Sequence, residues 1–310
     1  MRHEALRMFC TLESTRMCRA VRQEDQPVSY GCGVPTYAPN SRVVNGENAR
    51  PHSWPWQISL QYKSGDSFYH TCGGSLIAPN WVMTAAHCIS SSRTYQVVLG
   101  EHDRSVVEGQ EQIVPINKGD IFVHEGWKSS SVSSGNDIAL IKLSRVALLN
   151  DEVQLACLPP AGELLPNQYP CYISGWGRLT TGGSLPSVLQ QALLPVADHA
   201  TCSQRDWWGS TVKTSMVCAG GDTKAGCNGD SGGPLNCQDS DGRWYVHGIA
   251  SFVSSLGCNA PRSPPCSPES PPSTTGSTIL SVRTDPERRR NLSIMDLLIS
   301  LIPPINAADQ

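Results

Sequence analysis

Between Val43 and Cys258 the apolar residues recur in short runs of five or six, alternating with polar ones or running continuously between turn signals. Gln57-Ile58-Ser59-Leu60-Gln61-Tyr62 shows the two-residue period of an extended chain, and Tyr95-Gln96-Val97-Val98-Leu99 and Trp244-Tyr245-Val246-His247-Gly248-Ile249 follow the same habit. Clusters of glycine, serine and proline separate these runs, and sustained helical periodicity is nearly absent. The pattern predicts an all-β protein whose strands close on themselves or stack as sandwiched sheets.

The two ends depart from that pattern. Residues 1–31 scatter Arg2, Arg7, Arg16, Arg19 and Arg22 among polar residues, without the apolar core of roughly 7–15 residues that marks a secretory signal. Past Cys258, Pro261, Pro264, Pro265, Pro268, Pro271 and Pro272 give a stretch that reads as an extended or disordered linker. A charged segment from Asp285 to Arg290 and an apolar run from Leu292 to Ile302 follow, with a glycosylation sequon at Asn291-Leu292-Ser293. The expected organisation is therefore a leader over 1–31, a short segment over 32–42, a β domain over 43–258 and a tail over 259–310.

Composition narrows the function classes. The chain of 310 residues is 39% apolar with a formal net charge of −3, so no basic excess points to nucleic acid. No apolar run reaches the roughly 18 residues of a membrane span. Thirteen cysteines are too many for a reducing compartment unless they bind metal, and no C-x-x-C pair supports zinc, so a secreted, disulfide-bonded protein is expected. Cys10, Cys18 and Cys266 fall outside the β domain and its preceding segment.

Chemistry concentrates in Gly229-Asp230-Ser231-Gly232-Gly233-Pro234. Ser231 offers a hydroxyl, the amides of Gly229 and Ser231 can converge on an oxyanion, and Asp230 is a carboxylate that needs a cation if it is enclosed. A serine hydroxyl is a weak nucleophile without a base, so the motif calls for a histidine and a group to orient it. Thr84-Ala85-Ala86-His87-Cys88 and Gly135-Asn136-Asp137-Ile138-Ala139-Leu140 supply both.

The order His87, Asp137, Ser231, with these flanks, resembles the chymotrypsin-like serine proteases over residues 32–258. The resemblance implies two six-stranded antiparallel barrels with the catalytic residues at their junction, and needs no cofactor for catalysis. It implies disulfides Cys72–Cys88, Cys171–Cys237, Cys202–Cys218 and Cys227–Cys258, with Cys32–Cys157 tethering an activation peptide. Arg42-Val43-Val44-Asn45-Gly46 resembles an activation site. A trypsin-like protease would cut after Arg42, and the new ammonium of Val43 would pair with Asp230. Carried onto this chain, the specificity pocket has Ala225 at its base, Gly226 beside it and Val253 on its wall. Ser251 and Phe252 belong to the strand that pairs with substrate. The base lacks a carboxylate for a basic side chain, and Val253 obstructs a large ring, so small apolar residues such as alanine are expected. Within the family the likeness is to pancreatic elastases, particularly the elastase 3 or protease E type, carried by His70-Thr71-Cys72-Gly73-Gly74-Ser75-Leu76-Ile77 and Met216-Val217-Cys218-Ala219-Gly220-Gly221-Asp222.

Glu101, Glu108 and Glu111, with carbonyls of Asp103 and Val106, have the spacing of the family's structural calcium loop. The substrates implied are proteins and peptides, and the molecule is expected to be a monomer. One departure stands out: where relatives continue with a closing strand and a C-terminal helix, this chain has its proline-rich tail, so the last strand and helix are expected to be replaced. Ile279-Leu280-Ser281-Val282 and the Leu292–Ile302 run are the candidates to stand in. Without them an unpaired sheet edge remains, and the alternative reading is a homologue that binds partners without turnover.

Overall fold

The computed structural model describes residues 31–40, 46–220, 227, 229–253 and 277–281. The strands are β1 Glu47–Asn48, β2 Gln57–Ser64, β3 Ser67–Ala78, β4 Trp81–Thr84, β5 Tyr95–Leu99, β6 Gln112–Pro115, β7 Ile121–Val123 and β8 Ala139–Lys142. They continue with β9 Cys171–Gly175, β10 Gln190–Leu193, β11 Val196–Ala197, β12 Met216–Gly220, β13 Pro234–Gln238, β14 Trp244–Phe252 and β15 Ser277–Ser281. The one α-helix among the described residues is a single turn, α1, His199–Cys202, capped by the Asp198 side chain on the Thr201 amide.

Two antiparallel sheets result. One runs β6-β5-β2-β3-β4-β8-β7 and the other β1-β10-β9-β13-β14-β15-β12-β11. The three strands read from alternation are all present, and β2 and β14 extend beyond the expected limits. Consecutive strands pair across short turns because antiparallel neighbours need no crossover. β3 meets β4 around Pro79-Asn80, with Ala78 opposite Trp81.

The main core holds Trp54, Trp56, Ile58, Leu60, Leu76, Met83, Leu99, Leu140 and Ile141, all essentially sealed from solvent. Each such side chain contributes about 1.5–3 kcal/mol by leaving water. Where the two sheets meet, β2 is buried on its polar side as well, and the polar groups find partners across the junction. Ser174 Oγ donates to Gln57 Oε1 at 2.8 Å, Asn236 Nδ2 to Ser174 Oγ at 3.1 Å, and Trp56 Nε1 to Asn236 Oδ1 at 2.8 Å. A satisfied buried network of this kind registers one sheet against the other.

Four disulfides join Cys32 to Cys157, Cys72 to Cys88, Cys171 to Cys237 and Cys202 to Cys218. Cys227 is also disulfide-bonded, and the Cys258 expected for it lies outside the described residues. The segment before the activation site is seated on the body: the Gly33 amide donates to Leu155 O and the Trp244 amide to Gly33 O.

The closing strand comes from the tail, from the Ile279-Leu280-Ser281 stretch expected as one candidate to stand in. β15 lies between β12 and β14, with Cys218 opposite Ile279, Ala219 opposite Thr278 and Ala250 opposite Leu280. The edge expected to stand open is paired. Ser-Thr-Ile-Leu-Ser is a short strand-favouring stretch, and the entropy of closing a loop grows only slowly with its length, about 0.6 kcal/mol per doubling. A distant segment can therefore fill the place of a local one. The leader, the Leu292–Ile302 run, Asn291 and the three outlying cysteines lie outside the described residues.

Candidate active site

His87 sits in a 3₁₀ turn, Ala86–Cys88, directly after β4. Asp137 stands just before β8, and β4 pairs with β8, Thr84 opposite Ala139. Two neighbouring strands of one sheet thus deliver the histidine and the aspartate to the same end. Asp137 is completely buried. Its Oδ2 lies 2.7 Å from His87 Nδ1, and its Oδ1 accepts the His87 backbone amide at 2.9 Å. Ser251 Oγ donates to Asp137 Oδ2, so a residue of the second sheet shares the same carboxylate. Accepting at both oxygens fixes the plane of the carboxylate, and with it the imidazole, whose Nδ1–H points inward. The imidazole side chain remains about one quarter exposed.

Asn136, immediately before Asp137, adopts a left-handed backbone with φ 59°. Asparagine tolerates this better than most residues, and its side-chain amide donates to Gly126 O.

Ser231 arrives from the turn that precedes β13. Its carbonyl accepts the Gly73 amide at 2.8 Å, and the Gly232 amide donates to Ala250 O at 2.8 Å. A Cβ on Gly232 would lie 2.2 Å from Thr84 Oγ1 and 2.7 Å from Gly73 O; no side chain fits there, and that close approach brings the serine turn against the segment leading to His87. Among the described residues no hydrogen bond joins Ser231 Oγ to the imidazole. Nucleophile–base contacts commonly tighten only when substrate is bound.

The amides around the serine fall into two sets. Those of Asp230 and Gly233 donate to Cys227 O and Asp230 O, and that of Gly232 is taken by Ala250. Those of Gly229 and Ser231 donate to no group among the described residues, and Gly229 has φ 107°. Two free amides beside a serine hydroxyl are what an oxyanion site requires.

Asp230 turns inward. Its Oδ1 accepts the Gly177 amide and its Oδ2 the Cys227 amide, both at 2.8 Å. A Cβ at Gly175 or Gly177 would fall 2.4 Å or less from this side chain, so the two glycines make the space it fills. As a residue Asp230 keeps partial exposure, but the enclosed carboxyl is pushed up to about 6 by desolvation, against the two amides that lower it. Among the described residues no cation pairs with it. Behind Gly229, the His70 Nε2 lies 3.2 Å from the Gly229 carbonyl oxygen and its Nδ1 2.8 Å from Ser59 Oγ. Burial first, and the Arg104 charge second, push His70 down to about 4. Sequence reading did not single out Ser59, His70, Gly175 or Gly177. His70 stood within a quoted motif, and the others carried no signal beyond ordinary strand and turn composition.

Of the expected pocket residues, Ser251 and Phe252 end β14 and Val253 follows, half-buried. Phe252 packs edge-on against Trp208, ring centroids 5.3 Å apart. Ala225 and Gly226, like Arg42 and Val43 of the expected activation site, lie outside the described residues.

The acidic loop gathers as expected in part. Oxygens of Glu101, Glu108 and Glu111 lie within 4.8 Å of one another. Glu101 Oε1 is buried without a partner, and desolvation, then Glu111 and Glu108, push its carboxyl up to about 7. Crowded carboxylates with one orphaned buried oxygen fit a hard divalent cation. Glu108 also accepts the amides of His102 and Asp103, and Glu111 those of Glu108 and Gly109. Of the other expected ligands, the Asp103 carbonyl accepts the Val106 amide at 3.2 Å, and the Val106 side chain is exposed.

Comparison with known proteins agrees with this geometry. The trypsin family profile matches residues 43–267. The chain is 68% identical over 237 residues to chymotrypsin-like elastase family member 3B of Homo sapiens, covering 76% of this chain and 88% of that protein. It is 70% identical over 230 residues to proproteinase E of Bos taurus, covering 74% and 91%. Similarity extends at 57% identity over 236 residues to bovine chymotrypsin-C, covering 75% and 87%.

Proposed function

This chain belongs to the trypsin family of chymotrypsin-like serine proteases, in its elastase 3 branch, and on that premise we propose that it is an elastase-like, zymogen-activated digestive endopeptidase. Its general reaction is hydrolysis of peptide bonds in proteins. In the proposed mechanism Ser231 attacks the carbonyl carbon as His87 takes its proton, and His87 returns that proton to the leaving amine. Asp137, held by Ser251, keeps the imidazole in the needed tautomer and steadies its charged form. The amides of Gly229 and Ser231 stabilise the oxyanion. Water then repeats the sequence on the acyl-enzyme, releasing the acid and freeing Ser231. The observation that carries the reading is the His87–Asp137–Ser251 array, a buried carboxylate shared by an imidazole and a hydroxyl from the other sheet.

Activation follows from Asp230. A carboxylate enclosed by protein and held by two amides is costly without a positive partner. Cleavage after Arg42 by a trypsin-like protease would release Val43, whose ammonium supplies that charge. With Ala225 and Gly226 at the expected base and Val253 on the expected wall, the resemblance implies a preference for small apolar side chains such as alanine. The preference should be graded, because one methylene changes discrimination by only about 1–3 kcal/mol. Glu101, Glu108 and Glu111 would hold a structural calcium ion that neutralises their crowding and plays no part in proton transfer. The disulfides fit secretion to an oxidising compartment, and among the described residues no helix is long and apolar enough to cross a membrane.

The test uses the full oxidised chain, treated with trypsin and then a fluorophosphonate probe. Labelling that requires tryptic cleavage and disappears in Ser231→Ala, with anilide substrates cleaved faster after alanine than after lysine or phenylalanine, is expected. A soluble protein, cut after Arg42, that never labels would overturn the proposal.

A further inference from the structure

Gly229 is held in a slot. A Cβ placed on it would lie 2.8 Å from Leu185 Cδ2 on one side, and 3.0 Å from Gly177 Cα and 3.3 Å from Trp176 O on the other. The Trp176–Gly177 wall is tied to the site by the Gly177 amide on Asp230. Leu185 comes from the far end of the same loop and, like Leu179, is exposed to solvent, so its position rests on an anchor of the backbone beside it.

That anchor is the segment His102–Arg104. The Leu189 amide donates to His102 O at 2.9 Å, the Arg104 amide donates to Ser187 O at 3.0 Å, and Asp103 bridges Val188. The ladder stops there, because the next amide in line, that of Val106, turns back to Asp103 O at 3.2 Å. The Arg104 side chain takes over: Nη2 donates to Pro186 O at 2.7 Å. This bond fixes the residue next to Leu185. The guanidinium is half-buried and its Nε has no partner; burial lowers its hold on the proton, and Glu101 and Asp103 offset this in part. A charged donor to a carbonyl in such a setting is stronger than a neutral one.

We propose that Arg104 is a positioning residue for the oxyanion site: it secures Pro186, Pro186 places Leu185, and Leu185 holds the Gly229 amide in line. The proposal rests on the oxyanion role assigned to Gly229 above. Arg104 touches neither substrate nor the reacting atoms. Its effect should therefore appear where negative charge develops on the carbonyl oxygen, and only weakly in ground-state binding.

The test compares the activated wild type with Arg104→Ala, Arg104→Lys, Leu185→Ala and the Arg104→Ala/Leu185→Ala pair. Active sites are titrated with a fluorophosphonate. Then kcat and KM are measured on a trialanine anilide, and inhibition by a trialanine boronic acid, whose tetrahedral adduct places an oxygen in the oxyanion site. Arg104→Ala should lower kcat about tenfold, as sub-ångström to ångström misplacement does, with KM changed less than about twofold. The boronic acid should weaken by a similar factor. Arg104→Lys, which can still reach one carbonyl, should recover most of the loss. The double variant should be no worse than the poorer single, since both act through one contact.

Unchanged kcat and boronic acid affinity in a folded, fully titratable Arg104→Ala protein would overturn the proposal, as would losses that multiply in the double variant. Should Arg104→Ala fail to fold, Leu185→Ala and Arg104→Lys carry the same comparison. A wild type that never labels would instead overturn the protease reading itself, so the two failures are distinguishable.

Discussion

The sheet that carries His87 and Asp137 and the sheet that carries Ser231 reach their ends of the site by different means. In the first, β4 and β8 are direct neighbours, and their side chains lie in one large core that also takes Trp244, Val246 and Ile249 of β14. The rest of the second sheet is held by two smaller clusters, around Leu235 and around Cys202. The serine turn is fixed by backbone bonds, by glycines that admit close approach, and by an enclosed carboxylate. A strand from far along the chain, β15, lies between β12 and β14. The proposed base and its orienter are set by packing that forms with the sheet, whereas the proposed nucleophile and oxyanion amides rest on an enclosed carboxylate and long-range ties. Under the proposed activation, that asymmetry would let one cut peptide bond switch one half of the site while leaving the other in place.

The largest expected effects test whether the two halves meet at all. Asp137→Asn should cut kcat/KM about 10⁴-fold while leaving the fold intact, because it corrupts the imidazole tautomer. Circular dichroism and anilide hydrolysis would check it, and a loss under tenfold would separate Asp137 from the chemistry.

The next sharpens the contrast through Asp230 in an uncleavable Arg42→Gln precursor. Its carboxyl is raised from 3.8 to about 6 in the folded state, so between those values the native form binds more protons than the unfolded one. Stability should therefore fall as pH rises from about 4 to 6, by up to about 3 kcal/mol. His70 and His247, both pushed down to about 4, act in the opposite sense over an overlapping window. The informative quantity is thus the difference in melting temperature between Asp230 and Asp230→Asn precursors across pH 4–7. Parallel curves would show that Asp230 is not the costly group.

Ile279→Pro, in the middle of β15, should destabilise the second sheet by about 1–3 kcal/mol through a lost ladder bond, read as a lower urea midpoint with Cys171 and Cys237 still paired. No change would show that β15 contributes nothing to closing the sheet. A smaller effect is expected at the acidic loop. Calcium should raise the melting temperature of the wild type and do so less in Glu101→Gln. Without calcium the raised Glu101 carboxyl, about 7, should make the wild type less stable as pH rises from about 4.5 to 7, with Glu101→Gln flatter. Ser251→Ala should have the mildest consequence for turnover, a few-fold in kcat, as one hydrogen bond of about 1 kcal/mol is lost. An unaltered rate would mean that the second sheet's hold on Asp137 is dispensable.

The alternation in β2, β5 and β14, the serine turn and the flanks of His87 and Asp137 were legible without coordinates, because each is a local pattern of residue types tied to backbone or chemical need. Four of the implied disulfides are present as paired, and the acidic cluster gathers on its short loop. The role proposed for Arg104 and the space that Gly175 and Gly177 leave for Asp230 were not legible, and of the two candidate closing segments only the fold shows Ser277–Ser281 seated as a strand. Each depends on what arrives from elsewhere in the chain: a carbonyl beyond the end of a ladder, a carboxylate that fills a gap, an open edge that must be paired. Taken alone, the residue order determined which groups are available, and the spans they occupy as strands or turns only where side-chain period and turn chemistry act locally. Tertiary structure decided which of them share a carboxylate, which amides are left free and which distant segment completes a sheet, because enclosure, close approach and edge pairing are properties of neighbours in space.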